Sequence, residues 1–278
     1  MKKIVYSMLF LFSVGVAGTL ISVSASGGFS LDTYNVGDQV VVNNKNISDI
    51  EVELSSTDVT VHSTSDKEIT VELNGKISKK LKKKLNLDVK EKGDTLKISL
   101  DGEDQIKFNI GVLIIDTNID IYLPEKLYDS INVDISSGDI DLKELKAKEY
   151  SLETSSGDIS AKDIDGVQSN INATSGDIDL KNVKGDISIV STSGDINIHN
   201  KEVFGNIETK ATSGDVTVEF DKQPESLAID FNATSGDGKV SLDGVSYEEK
   251  TEDEIRGKIG TGEYKLIVDI TSGDFVLR

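Results

Sequence analysis

The residues with the clearest capacity for chemistry are seven aspartates, Asp139, Asp158, Asp177, Asp195, Asp215, Asp237 and Asp274, each closing a Ser-Gly-Asp triplet. A carboxylate repeated at regular intervals can serve in two ways. It can accept hydrogen bonds from backbone N–H groups of its own turn, as short acidic side chains do. Stacked copies can instead hold a divalent cation between rungs, carboxylate oxygens being hard ligands for a hard ion such as Ca2+. Calcium-binding β-rolls use a denser glycine and aspartate pattern than this one. Both readings stay open, and Ca2+ is the only cofactor that the pattern suggests.

Other chemistry is sparsely provided for. The only histidines, His62 and His199, are far apart in sequence, and the only arginines are Arg256 and Arg278. Tryptophan is absent and aromatic residues make up 5% of the chain, which leaves little to stack on sugars. Paired carboxylates for glycoside hydrolysis do not stand out among 49 acids. Asp163, Asp165 and Gly166 resemble part of a calcium loop, but Ala161 holds its first ligand position and Asn172 its last. No glycine loop that would cradle phosphate is present. The expectation is that no catalytic site exists.

The elements that position the aspartates follow from the triplets themselves. Their glycines, Gly138, Gly157, Gly176, Gly194, Gly214, Gly236 and Gly273, lie 19, 19, 18, 20, 22 and 37 residues apart. A period near 20 is that of a solenoid, and the gap of 37 reads as two repeats with one copy overwritten by an insertion. Apolar or small residues recur five and three positions before each glycine, as in Val133 and Ile135 or Ile171 and Ala173. They recur again two and four positions after it, as in Ile140 and Leu142 or Ile178 and Leu180. Spacing by two on both sides of a turn is the alternation of strands with one buried face. Each copy is therefore predicted to be a strand, a tight corner and a second strand, with a looser turn marked by Ile164 and Gly166, Val183 and Gly185, and Val203 and Gly205. One such coil is too small to be stable alone, so the coils must stack and share a core. Glycine suits the corner because so sharp a reversal commonly needs positive φ.

The resulting fold class is all-β, a parallel β-solenoid with coils of about 19–20 residues, of which residues 131–278 are the regular part. Residues 46–130 lack the triplet but keep the alternation, and Ser55, Ser56, Thr57 and Asp58 form a degenerate copy with Thr57 at the glycine position. Further strands are expected at 69–73, 87–89, 96–100, 106–110 and 119–123, making irregular coils that seal one end. Lys76, Lys79, Lys80, Lys82, Lys83 and Lys84 surround Ile77, Leu81 and Leu85, a spacing that permits a short basic amphipathic helix. Residues 243–262, rich in glutamate, are expected to be a solvated loop.

At the amino end, Lys2 and Lys3 precede an uncharged stretch, mostly apolar over residues 4–23. Residues 1–25 are read as a signal peptide or signal anchor, and 26–45 as a linker. The lysines would stay inside, placing the rest outside the cytoplasm, anchored in the cell membrane through residues 4–23, or secreted if the signal is cleaved. The formal charge of −19 becomes −21 without Lys2 and Lys3, which argues against nucleic acid as a partner. Cysteine is absent, so disulfides and a lipid-modified cysteine are excluded.

Leu123, Pro124 and Glu125, then the run from Ile131 to Leu142, then repeated Thr-Ser-Gly-Asp-Ile or Ser-Ser-Gly-Asp-Ile, resemble the adhesin-like repeat domain of bacterial envelope proteins, LiaG-like proteins above all. The resemblance covers roughly residues 47–278. It implies a membrane-associated, non-enzymatic protein linked to envelope stress, and it carries no catalytic or binding residues across. The expected function is a β-solenoid that binds an envelope component or another protein along one face. The alternatives are a divalent-cation module built on the aspartate column and, last, a carbohydrate-active β-helix enzyme.

Overall fold

A computed structural model describes residues 32–79, 85–102 and 115–278. Its strands are β1 (Thr33–Val42), β2 (Asp49–Leu54), β3 (Asp58–Thr64), β4 (Ile69–Ser78), β5 (Asn86–Lys92), β6 (Thr95–Asp101), β7 (Ile115–Pro124), β8 (Tyr128–Ser137), β9 (Ile140–Lys143), β10 (Ala147–Ser156), β11 (Ile159–Lys162) and β12 (Asp165–Ser175). They continue with β13 (Ile178–Lys181), β14 (Lys184–Ser193), β15 (Ile196–Asn200), β16 (Ile207–Ser213), β17 (Val216–Phe220), β18 (Leu227–Ser235), β19 (Gly238–Val240), β20 (Ser246–Lys250), β21 (Glu254–Ile259), β22 (Tyr264–Ser272) and β23 (Phe275–Leu277). Among the described residues there is no α-helix.

The strands form two sheets, and each coil contributes one strand to each. One sheet runs β20-β21-β18-β22-β16-β14-β12-β10-β8-β2-β6-β5; the other runs β1-β4-β7-β3-β9-β11-β13-β15-β17-β23-β19. From β6 to β18 and from β7 to β19 the pairing is parallel and in register, so that Val133, Leu152, Ile171, Ile189, Thr209, Val268 and Phe231 stand in one column. Ile140, Ile159, Ile178, Ile196, Val216, Phe275 and Gly238 stand in the facing one. These are the residues whose spacing by two predicts an inward face, and nearly all are buried. Where the facing column shrinks to Gly238, Phe231 fills the space. A Cβ on Gly238 would lie 2.4 Å from its ring, which stacks on Phe275 at a centroid distance of 5.0 Å. The nine parallel layers, each about 4.8 Å from the next, share this one core.

The order of the layers departs from the order of the chain at both ends. The coil β22/β23, last in sequence, lies between β16/β17 and β18/β19. The gap of 37 residues is therefore no overwritten copy: the chain skips a layer, builds a cap and returns to fill the space it left. The expected solvated loop is that cap. β20 and β21 pair antiparallel, β21 pairs antiparallel with β18, and Ile255 and Ile259 are buried against the end of the core. At the opposite end the coil β6/β7 lies outside β2/β3, and residues 125–127 cross back over that layer to reach β8.

Antiparallel strands close this second end as well, β5 on β6 and the pair β1–β4 on β7. Residues 33–42, read above as linker, are thus strand β1. Edges that would otherwise pair with other chains are covered by turned-back strands. Lys76 and Ile77 lie within β4 rather than on a helix, Ile77 being fully buried. Residues 80–84, the strand expected at 106–110 and the apolar segment 4–23 lie outside the described residues.

Candidate functional site

Two corners join the sheets. At the first, the Ser-Gly-Asp triplets stack directly. The glycines have φ between 119° and 145°, and an added Cβ would meet the carbonyl oxygen of the glycine one layer away at about 2.0 Å in most layers, as for Gly157 on Gly138 and Gly176 on Gly157. The corner is itself part of the ladder. The N–H of Gly138 donates to the Ser156 carbonyl at 2.9 Å, and that of Ile140 to the Asp158 carbonyl at 2.9 Å.

The aspartates are held by the layer next to them rather than by their own turn. The backbone N–H of Asp139 donates to Asp58 Oδ1, that of Asp158 to Asp139 Oδ1 and that of Asp177 to Asp158 Oδ1, at 2.8–2.9 Å. The series runs on through Asp195 and Asp215 to Asp274 and ends at Asp237, following the spatial order of the layers. In-register parallel stacking sends the corner N–H groups along the rod, where the neighbouring carboxylate is the nearest acceptor. Each N–H offsets part of the repulsion between stacked charges. Asp58 is the eighth member, and Thr57 at the glycine position is tolerated at the end of the column, its hydroxyl 2.8 Å from that of Thr117. One oxygen of each carboxylate from Asp58 to Asp274 in the series accepts an N–H, and among the described residues no three acidic or imidazole side chains converge.

This arrangement makes a test of the column straightforward. Asp177→Ala removes the acceptor of the Asp195 N–H and is expected to cost about 1–3 kcal/mol. Asp177→Asn, which keeps an oxygen there, is expected to cost less than half as much. Urea unfolding of both variants checks the order; equal losses would mean that charge, not acceptance, is what matters.

The second corner follows the short strands. Glu144, Asp163 and Asn182 occupy it in successive layers with φ of 57°, 53° and 53°. Here too side chains link layers: Asn182 Nδ2 donates to Asp163 Oδ1 at 2.8 Å, and the Lys184 ammonium pairs with Asp165 at 3.0 Å. Asp163 and Asp165 are thus engaged by the next layer and do not shape a calcium loop. The buried amide of Asn200 meets the backbone of Val183 with both ends, accepting from its N–H at 2.9 Å and donating to its carbonyl at 3.3 Å.

Beside this corner lies a groove of about 430 Å³ that crosses the layers and is lined by Lys126, Glu144, Lys146, Asp163, Lys184 and Phe204, among others. Lys126 forms one end of it. Its ammonium donates to the carbonyls of Ile47 and Lys45 and sits 4.7 Å from the centroid of the Tyr128 ring. Partial burial holds its pKa below the usual lysine range.

On the outer face of the short sheet, immediately before the second corner, parallel register aligns His62, Lys143, Lys162, Lys181 and His199. His62 stacks on Tyr122 of the adjoining layer, with centroids 5.4 Å apart, and His199 lies 2.7 Å from Asp221. The two histidines are about 19 Å apart along the rod, four layer spacings, so they share no site. This column was overlooked in the sequence. Its signal is a basic residue five positions after the corner glycine, visible at 143, 162 and 181 once the strands are known to alternate from that point.

Comparison with known proteins adds the family. No curated protein matches the chain. Solved structures with a similar fold include a candidate cell adhesion protein from Clostridium sporogenes ATCC 15579, with 14% identity, a TM-score of 0.39 and coverage of 88% of this chain and 99% of that one. A candidate adhesin from Bacteroides fragilis NCTC 9343 has 13% identity, a TM-score of 0.47 and coverage of 90% and 98%. A candidate lipid-binding protein from Parabacteroides distasonis ATCC 8503 has 16% identity, a TM-score of 0.45 and coverage of 88% and 96%. A family profile matches in two overlapping stretches, residues 47–184 and 144–278, as a stack of near-identical coils allows, and the chain belongs to the Toastrack DUF4097 family.

Proposed function

We propose that this protein is a non-enzymatic binding scaffold of the bacterial cell envelope, held at the outer side of the cytoplasmic membrane by residues 4–23, with its rod available to an envelope component. The observation that carries the reading is the in-register repetition of the Ser-Gly-Asp corner over successive layers. It produces long exposed rows of one residue type at a fixed period of about 4.8 Å, a surface suited to an extended partner rather than to one small substrate. The likeness of the Ser-Gly-Asp repeats to LiaG-like proteins supports a link to envelope stress.

The reading is tested with the full chain kept in solution by mild detergent. Mixed with lipid-free, protein-stripped cell walls and sedimented, it is expected to leave the supernatant in a saturable manner. Failure to sediment with walls at any protein concentration overturns the scaffold reading. Membrane placement is tested separately by fractionating cells, where recovery of the intact chain in the soluble cytoplasm would refute it.

A further inference from the structure

We infer that the basic column His62–Lys143–Lys162–Lys181–His199, with the groove beside it, is a binding site for a linear polyanion, a polymer whose phosphate or carboxylate groups recur at one or two layer spacings. The inference rests on the scaffold reading and names the chemistry of its partner.

Three observations support it. The column sets three lysines in consecutive layers, about 4.8 Å apart, where their like charges repel by about 1 kcal/mol per neighbouring pair even in water. Nothing in the fold requires them, since their side chains face outward from the sheet and Lys162 and Lys181 are exposed. Among the described residues, Lys146, Lys162, Lys181 and Lys201 have no carboxylate within ion-pair distance, whereas Lys143 is paired with Asp141 and Lys184 with Asp165. Unpaired lysines gathered at one corner of a chain with a formal charge of −19 leave charge available to a ligand.

Two of the acids that border the column are engaged within the protein, and Glu144, exposed beside Lys143, is the exception. Asp179 accepts from Asn197 Nδ2 at 3.1 Å and Asp163 from Asn182 Nδ2 at 2.8 Å. The basic stripe is one side chain wide and five layers long, with Lys162 and Lys181 as its unpaired lysines, which matches the outline of a single extended chain. Lys146 and Lys201, neither of them ion-paired, open onto the groove next to it, whose lining also carries Glu125, Glu144, Asp163 and Asp165. A second copy of this protein is the weaker occupant. Its aspartate column has the same period, but it would bring its whole negative charge, and one oxygen of nearly every carboxylate there already accepts an N–H.

The experiment titrates the full chain with three polymers, inorganic polyphosphate, polyglutamate and neutral dextran, at low and high salt. Binding of polyphosphate or polyglutamate, weakened by salt and absent for dextran, is expected; the first two distinguish a phosphate from a carboxylate source. The double variant Lys162→Glu/Lys181→Glu is expected to bind at least ~10-fold more weakly, with an unchanged unfolding midpoint. The control Lys239→Glu/Lys265→Glu makes the same change of net charge away from the column and is expected to bind nearly as well as wild type. Equal losses in the two variants, equal binding of dextran, or no binding of either anionic polymer overturns the inference. So does a wild-type oligomer that the column variant dissociates without any polymer binding, because the occupant is then a second copy. If walls still sediment the chain while the anionic polymers fail, the scaffold reading stands and this assignment alone is lost.

Discussion

Deleting residues 264–278 is expected to open one end of the rod rather than to shorten it by a layer. The deleted coil carries Leu266, Val268, Ile270, Phe275 and Leu277, all buried, and at about 1.5–3 kcal/mol per side chain their loss is comparable with the whole stability of an ordinary domain, about 5–15 kcal/mol. It also removes both partners of a slot. β22 pairs with β16 on one side and β18 on the other, and β23 pairs with β17 and β19. Without it, two pairs of strands face each other across a gap with unpaired backbone groups and exposed core.

The layer β18/β19 and its cap β20–β21 should then detach. Limited proteolysis is expected to cut throughout residues 221–263 while the layers from β8 to β15 stay protected, and the main thermal transition should fall sharply. Adding a peptide of residues 264–278 should restore protection, because the slot is specified by the layers on either side. A truncated chain that keeps residues 227–259 protected would show that the final coil does not lie inside the stack.

The second large effect is expected at a single atom. Gly176→Ala places a Cβ 2.0 Å from the carbonyl oxygen of Gly157, at φ of 123°. The two effects compound. The conformation is strained for any residue with a side chain, at about 1–3 kcal/mol. The backbone also has nowhere to move, since Gly176 is held from the next layer by its N–H on the Ser193 carbonyl at 3.2 Å. A loss of at least about 4 kcal/mol is expected, at the exceptional end for single substitutions. Gly244→Ala is the control: φ is 71°, but no atom lies within 4 Å of the added Cβ, so about 1 kcal/mol is expected from conformation alone. Urea unfolding with a comparable slope in both variants checks the difference. Similar midpoints would mean that the corner glycines serve φ only and that the layers can part to admit a methyl group.

Why Thr57 survives at the glycine position shows how such a column ends. Thr57 has no positive φ, and the layer beyond it offers Thr117 as a hydroxyl partner in place of another triplet. The close carbonyl approach is relaxed there as well, since a Cβ on Gly138 would stand 2.7 Å from the Thr57 oxygen rather than about 2.0 Å.

The corners and the inward columns were legible from the residues because both are decided locally. Alternation by two sorts Ile171 and Ala173 to one face whatever lies above them, and Gly176 is demanded by a reversal three residues long. The partners of the aspartates were not legible in the same way. An Asp beside a turn glycine can accept from its own turn or from a neighbour, and only the stacking of Asp158 beneath Asp177 selects the neighbour. The basic column was present in the spacing of Lys143, Lys162 and Lys181, yet its meaning depends on Lys162 and Lys181 being unpaired, and sequence does not show that Asp141 reaches Lys143 and Asp165 reaches Lys184 instead.

What the amino-acid order determined without help was the coil itself: two strands, a glycine corner and a face of aliphatic side chains, repeated often enough that stacking was obligatory. What only the tertiary structure decided was the order in which the coils stack. Every coil presents nearly the same columns, so β16 would accept β18 or β22 with similar contacts, and pairwise pattern cannot rank the two. The choice falls to the connections and caps. β21, antiparallel on β18, turns through residues 260–263 and delivers β22 to the opposite side of that same strand, and a repeat that matches every neighbour equally well carries no record of which neighbour it will meet.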